Sequence, residues 1–192
     1  MSSSRSLLLA SASPQRRAIL EQLRIPFRVV PHRYEEGEER GRSPVELACA
    51  HARGKARRAR AGGAEGPLLA ADTVVAVDDR ALGTPGHAEE AKAMLRQLSG
   101  RWHEVVSALC LLIRSEEVVE HDLTRVLFRP LSRRDIDAYV ASGEWQGRAG
   151  GYAVQGLGAS LVERIDGDYL TVVGLPGFRL LRLLSRRLPG SE

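Results

Sequence analysis

The stretch LLLASASPQRRAIL, residues 7–20, shows how the fold begins. The apolar run from Ser6 to Ala10 predicts a short buried strand. Ser13 followed by Pro14 predicts an N-cap and the first residue of a helix. The face of this helix that is expected to point inward consists of Ala18, Ile19, Leu20 and Leu23. The chain is therefore expected to open with a strand-to-helix corner.

The charge at this corner suggests a ligand. Arg16 and Arg17 occupy the first turn of a helix whose N-terminus already carries about half a positive charge, which is a repulsive arrangement. An anion held by free backbone N–H groups, the Ser11 or Ser13 hydroxyl and the guanidinium groups would convert the repulsion into attraction. The alternative is that both arginines point to solvent.

Working outward, the remaining chain alternates strand and helix signals. We expect strands at 27–30, 68–77, 102–113, 118–128 and 161–165, with turns at 78–83 and 166–168. We expect helices at 44–61, at 88–98, from the Ser132 cap to about Ala141, and after Pro176, where the inward positions are Leu180, Leu181, Leu183, Leu184 and Leu188. These elements predict a single α/β domain spanning residues 1–192, with helices packed on a sheet.

Composition narrows the class of protein. The 192 residues are 43% hydrophobic and carry a net charge of +4, which suits one core and an anionic ligand. No apolar run approaches the roughly 20 residues that a bilayer span needs, and no export signal is visible, so we expect a cytoplasmic protein without a membrane contact. Cys49 and Cys110 are isolated, as expected where thiols stay reduced. Nucleic-acid binding is disfavoured because no aromatic residue interleaves with the arginines at 53–60.

Carboxylates mark a candidate metal site. Asp72 interrupts the buried run at 68–75, and burying an unpaired carboxylate costs on the order of several kcal/mol, so it should meet a cation, a metal or strong donors. Glu35 and Glu36 in an acidic loop offer a second carboxylate, and paired acids suit Mg²⁺ or Mn²⁺. The alternatives are a structural ion pair or strand-end cap at Asp72, and a loop that is merely solvated.

Two further positions are candidates for ligand contacts. Lys55 borders the alanine-rich stripe of the helix at 44–61 and is positioned to reach inward, although Arg60 borders the stripe equally well and Lys55 could instead snorkel to solvent. The glycine-rich passage from Gly143 to Gly158 resembles a ligand-covering loop in which the Gln155 amide could read a base edge. A glycine-rich surface turn is the alternative. No P-loop, Rossmann or nucleophile-elbow motif is present, and the histidines show no metal-ligand spacing.

These features in this order resemble the Maf family of nucleoside triphosphate pyrophosphatases over nearly the whole chain. The motifs that carry the resemblance are LASASPQRR at 9–17, AADT at 70–73, LSGRWH at 98–103, RAGGYAVQG at 148–156, IDGDY at 165–169 and VGLP at 173–176. Each motif is weak by itself, but their order and spacing are specific.

The resemblance implies an elongated mixed sheet flanked by helices, with a central cleft, in a protein that usually forms homodimers. It further implies hydrolysis between the α- and β-phosphates with a divalent cation, Mg or Mn. By this resemblance Glu36, Lys55 and Asp72 are catalytic, and Glu36 and Asp72 hold the metal. The residues that it assigns to the substrate are Ser13, Gln15, Arg16, Thr73 and Gln155.

Base preference is implied less directly. Thr73 and Gln155 are similar to the branch that acts on dTTP and UTP, whereas Gln15 stands where that branch has Arg. Thr84 stands where the family usually has Lys, which removes an expected phosphate contact. The alternatives are therefore hydrolysis of 7-methyl-GTP, or a nucleotide-binding regulator of cell division with little activity.

Overall fold

The computed structural model describes residues 6–35, 37 and 41–187, and Glu36 lies outside them. Its strands are β1 (Leu7–Leu9), β2 (Phe27–Val29), β3 (Leu68–Val77), β4 (Arg80–Leu82), β5 (Trp102–Ile113), β6 (Glu116–Phe128) and β7 (Val162–Asp166). Its α-helices are α1 (Pro14–Gln22), α2 (Pro44–Ala61), α3 (Ala88–Leu98), α4 (Arg133–Ala141), α5 (Tyr169–Val173) and α6 (Gly177–Arg187), and 3₁₀ turns occur at Ala149–Gly151 and Leu157–Leu161.

All seven strands form one mixed sheet, in the order β2-β1-β3-β5-β6-β7, with β4 paired to β3. β1 runs parallel to β2 and to β3, and the pairs from β3 to β7 are antiparallel. Helices flank this sheet, so the predicted mixed α/β architecture is confirmed.

The predicted helix starts are also confirmed. The Ser13 hydroxyl accepts from the Arg16 backbone N–H, and Pro14 is the first helical residue. Ser43 and Ser132 each form a reciprocal capping box with an acid three residues later. These caps satisfy N–H groups that the first helical turn leaves unpaired.

Three apolar clusters hold the layers together. On one sheet face, the alanines of α2 pack against β1, β3 and β5, and their small side chains allow the helix a close approach. On the opposite face, Leu7, Leu9 and Leu69 pack under α1 and α6. A third cluster lies under α3 and α4 and includes Leu95 and Phe128.

Four details differ from the sequence prediction. The predicted turn at 78–83 contains the short strand β4, because Asp78 and Asp79 have positive φ angles, 51° and 59°, that suit a tight hairpin. The short helix α5 follows the turn at 166–168 and was not predicted. Ala18 and Leu181 are exposed rather than inward, because each lies on the outer face of its helix, and Leu188 falls outside the described residues.

No helix of the described chain has the length and apolarity to span a bilayer.

One edge of β3 is interrupted, and this gap positions the site. β5 covers one edge of β3 from Leu68 to Ala76. On the other edge β1 pairs only at Leu68 and Leu69, while β4 pairs only from Val75 to Val77. Residues 70–74 therefore lack a ladder partner on that edge among the described strands, and the chain opens there into a cleft.

Candidate active site

The cleft at the open edge of β3 has a volume of about 200 Å³. It lies where β1 ends, the corner turns into α1, and the glycine-rich passage crosses over β3. The polar residues that line it are Ser13, Gln15, Arg16, Lys55, Asp72, Thr73, Thr84, Arg148, Tyr152 and Gln155. Three of these side chains are basic and one is acidic, so the lining favours an anionic ligand.

Lys55 and Asp72 form a buried ion pair at this cleft. Lys55 Nζ lies 2.6 Å from Asp72 Oδ1, and each residue is 6% exposed. Among the described residues, Lys55 is the residue that forms an ion pair with the Asp72 carboxylate. Lys55 thus extends inward from α2 rather than to solvent, while Arg60 instead donates to the carbonyls of Ala64 and Gly66 near the end of that helix.

Arg16 lines the same cleft as that pair. Its Nε donates to the Gly174 carbonyl at 2.9 Å, Nη1 donates to Ser11 Oγ at 3.1 Å, and Nη2 donates to Thr73 Oγ1 at 3.2 Å. These bonds fix the plane of the guanidinium, which lines the cleft. Arg17, in contrast, is exposed, so the two arginines of the corner have different environments.

Thr73 links this arginine to the sheet. Its Oγ1 lies 2.8 Å from Ser107 Oγ on the neighbouring strand β5 and donates to the Gly174 carbonyl at 3.3 Å. Ser107 Oγ in turn donates to the carbonyl of Thr171 in α5 at 2.7 Å. The helix that the sequence did not predict therefore anchors the arginine, and Ser107 is a supporting residue that no sequence pattern indicated.

Ser13 and Gln15 lie together at the start of α1. The Ser13 hydroxyl donates to Gln15 Oε1 at 3.0 Å. Because Ser13 also caps the helix, its side chain bridges the helix N-terminus and the amide of Gln15. A glutamine here supplies hydrogen-bonding capacity without the charge that an arginine would bring.

A second wall of the cleft comes from the glycine-rich passage. Gly150 has a φ of +68°, and a Cβ there would lie 2.8 Å from Val75 Cγ1, so glycine is required for this passage to close on β3. Behind the wall, Tyr152 OH lies 2.8 Å from His103 Nε2. Burial lowers the pKa of His103 to about 4 and raises that of Tyr152, so both are neutral at pH 7.

A glycine inside α2 explains how the preceding loop meets the helix. A Cβ on Gly54 would lie 2.2 Å from Tyr34 Cε2, so the tyrosine ring packs directly on the helix backbone beside Lys55. The Tyr34 hydroxyl is 3.0 Å from His51 Nδ1 one turn earlier. The sequence offered one signal for this contact, because a mid-helix glycine is unfavourable unless something packs there.

The structure thus brings most of the predicted site residues together. Seven of them line one cleft: Ser13, Gln15, Arg16, Lys55, Asp72, Thr73 and Gln155. Glu36 lies outside the described residues, and its neighbour Glu35 is exposed and does not line the cleft. Within the described ranges no group of three or more His, Cys, Asp or Glu side chains is arranged to hold a metal ion.

We expect Arg16→Lys to weaken both the cleft and the fold. A single ammonium cannot reach three acceptors in one plane, so we expect KM for the substrate to rise about tenfold and the free energy of unfolding to fall by about 1–2 kcal/mol. Steady-state kinetics and urea denaturation measure the two effects. Arg17→Lys on the exposed neighbour is the matched control, and equal behaviour of the two variants would contradict this role for Arg16.

Comparisons with known proteins show which family and fold this chain resembles. A family model described as Maf-like protein matches residues 6–187. A dTTP/UTP pyrophosphatase from Syntrophomonas wolfei is 44% identical over 181 residues, covering 93% of this chain and 96% of the relative. One of the same name from Thermus thermophilus is 46% identical over 182 residues, 94% of each chain. A HAM1 protein structure from Coxiella burnetii superposes with a TM-score of 0.53 at 19% identity, covering 94% of this chain and 98% of that one, which supports the fold alone.

Proposed function

Because the chain belongs to the Maf family, we propose that it hydrolyses dTTP and UTP to the nucleoside monophosphate and pyrophosphate. The observation that carries this proposal is the convergence of Arg16, Lys55 and Asp72 on one cleft. Two basic side chains at a helix start and on α2 suit a polyphosphate, and a buried carboxylate beside them suits activation of water.

Substrate binding is assigned to the corner that opens the chain. The N-terminus of α1 presents backbone N–H groups and a partial positive charge, and Arg16 adds a full charge held in a fixed orientation. Ser13 and Gln15 contribute neutral polar groups beside them. Together these groups hold the phosphates, while Thr73 and Gln155 face the base.

The Lys55–Asp72 pair is assigned to the chemical step. The Asp72 carboxylate, held 2.6 Å from the Lys55 ammonium, orients a water molecule and accepts its proton. As the water oxygen bonds to phosphorus, the bond between phosphorus and the oxygen bridging the α- and β-phosphates breaks, and that oxygen leaves with the electron pair. Lys55 stabilises the negative charge that develops in this step.

A divalent cation, Mg or Mn, completes the proposal. Mg²⁺ usually binds through one or two carboxylates together with substrate phosphates and water, and Asp72 is a carboxylate at the cleft that fits this role. Glu36 is assigned as the second carboxylate by resemblance. When bound, the cation supplies positive charge that neutralises the phosphate oxygens. We also propose that the protein is a cytoplasmic homodimer, and light scattering on the purified protein measures the assembly.

A panel of nucleoside triphosphates tests this function. With Mg²⁺ or Mn²⁺ we expect pyrophosphate release from dTTP and UTP, with values of kcat/KM at least tenfold above those for ATP, GTP and 7-methyl-GTP, because Thr73 and Gln155 resemble the pyrimidine branch. Gln15→Arg in the same panel shows whether Gln15 affects the base preference. Release of orthophosphate alone, or a preference for 7-methyl-GTP, would contradict the proposal, and tight nucleotide binding without turnover would favour a regulator instead.

A further inference from the structure

Arg148 has no assigned partner in the cleft. It lines the cleft from the wall that the glycine-rich passage forms, and its guanidinium makes no hydrogen bond or ion pair with a described residue. Its Nε is buried without an acceptor, whereas buried N–H groups in folded proteins are nearly always paired. An arginine held this way at a binding cleft is poised for an acceptor that arrives with the ligand.

Other arginines in the molecule show that this situation is specific. Arg179 and Arg182 also have a buried Nε with no acceptor among the described residues. Each of them, however, places Nη2 on a carboxylate, Asp122 at 3.3 Å and Glu120 at 2.9 Å respectively. Of these three arginines, Arg148 is the one that forms no ion pair with a carboxylate of the described residues.

The backbone around Arg148 is held in place on both sides. Gly147 and Gly150 both have a φ of +68°, so the residue is presented from a turn that L side chains rarely form. The Gly150 N–H donates to the Gly83 carbonyl at 3.0 Å, which ties this turn to the segment carrying Thr84. The side chain therefore projects from a fixed support, and the cost of ordering it on binding is small.

Charge on this wall comes from Arg148 alone among the described lining residues. Thr84, Tyr152 and Gln155 are neutral, and His103 behind them is neutral at pH 7. In the whole cleft, three basic side chains against one carboxylate leave two positive charges, and the Lys55 charge already faces Asp72. An anion bound in the cleft would therefore meet Arg16 at the opening corner and Arg148 on the glycine-rich passage.

We infer that Arg148 is a phosphate-binding residue that, together with Arg16, binds the polyphosphate of the substrate from the wall formed by the glycine-rich passage. The inference deepens the proposed function and rests on it for the identity of the substrate. Thr84 lies on the same wall and is neutral, so a lysine placed there should substitute for the missing charge when Arg148 is removed. This reciprocal behaviour is not expected of an arginine with a merely structural role.

Calorimetric titration with inorganic tripolyphosphate tests the inference without relying on turnover. We expect Arg148→Gln to weaken binding about 10- to 100-fold, because a charge-assisted contact is lost. Arg148→Lys should stay within about fivefold of the wild type, since the charge is retained. Adding Thr84→Lys to Arg148→Gln should restore at least half of the lost affinity for tripolyphosphate, measured as the logarithm of Kd. Arg164→Gln, which removes an exposed arginine of β7, is the matched control and should leave affinity unchanged.

The outcomes separate this inference from the proposed function. The inference would be overturned if Arg148→Gln bound tripolyphosphate as tightly as the wild type and unfolded at the same temperature. It would also be overturned if Thr84→Lys changed the affinity for tripolyphosphate equally in the wild type and in Arg148→Gln. A wild-type protein that does not bind tripolyphosphate would also overturn it. Dependence of tripolyphosphate binding on Arg148 in a protein that releases no pyrophosphate from nucleotides would instead uphold the inference and remove the proposed function.

Discussion

Asp72→Asn is expected to lower kcat by a factor of about 100 to 10,000, because the amide cannot accept the proton of the attacking water. The substitution preserves the shape of the side chain and keeps an acceptor for Lys55 Nζ, so the cleft should retain its form. The free energy of unfolding is expected to fall by about 1–3 kcal/mol, because the Lys55 ammonium keeps an acceptor but loses the opposite charge beside it. Pyrophosphate release under saturating substrate and urea denaturation measure these effects.

The matched control is Asp78→Asn, which neutralises an exposed carboxylate of the β3–β4 turn. Asp78 pairs with Arg101 and lies outside the cleft, so its kcat should stay within about twofold of the wild type. Persistence of wild-type turnover in Asp72→Asn would remove the carboxylate from the mechanism. A collapse of both variants would point to a general loss of folded protein instead.

Lys55→Met is expected to reduce both activity and stability strongly. It leaves the Asp72 carboxylate buried without the cation that now faces it, which costs about 3–5 kcal/mol in the free energy of unfolding. It also removes the charge that stabilises developing negative charge in the transition state, so kcat should fall by about 100- to 1,000-fold. Kinetics and chemical denaturation on the same preparation measure the two effects.

A double variant separates the two effects of Lys55. In Lys55→Met combined with Asp72→Asn no charge remains from the pair, so much of the lost stability should return while activity stays absent. Arg58→Ala, an exposed basic residue on the same helix, should change stability by no more than about 0.5 kcal/mol. If Lys55→Met matched Arg58→Ala in stability, the ion pair would not contribute as the geometry implies.

Local signals in the sequence were sufficient for most of the fold. Ser13, Ser43 and Ser132 are side chains that cap a helix through contacts within three residues, so their effect is visible in the sequence. Helix α2 ends at Ala61 before Gly62 as expected, and β3 spans Leu68–Val77 as its apolar run predicts. Elements whose ends and faces depend on residues close in sequence can therefore be predicted from a single sequence.

Elements set by distant contacts were not visible. Helix α5 is five residues long and contains two β-branched valines, and it forms where its Thr171 carbonyl accepts from Ser107 in β5. Strand β4 is three residues long and exists because it pairs with Val75–Val77. The Ser107 partner of α5 lies 64 residues away along the chain, and β4 is too short at three residues to show an alternating pattern, so local periodicity carries no signal for either element.

The site could be predicted as a set of residues but not as a geometry. Sequence position left Lys55 and Arg60 equivalent, and only packing shows that Lys55 reaches Asp72. It likewise left Arg16 and Arg17 equivalent, although Arg16 alone joins Ser11, Thr73 and Gly174. Arg148 was visible only as part of a glycine-rich motif, because the lack of a partner is a property of the folded chain. The roles of all these residues, with Glu36, stay predictions until variants are measured.

The most direct test of the central claim is a crystal structure with Mg²⁺ and a UTP analogue whose α–β bridging oxygen is replaced by methylene. We predict triphosphate oxygens within hydrogen-bonding distance of Arg16 and Lys55, the cation at Asp72, and the nucleotide inside the cleft along β3. The analogue bound elsewhere, for example in the groove beside Trp102 and Asp78, with the β3 cleft empty, would contradict the account.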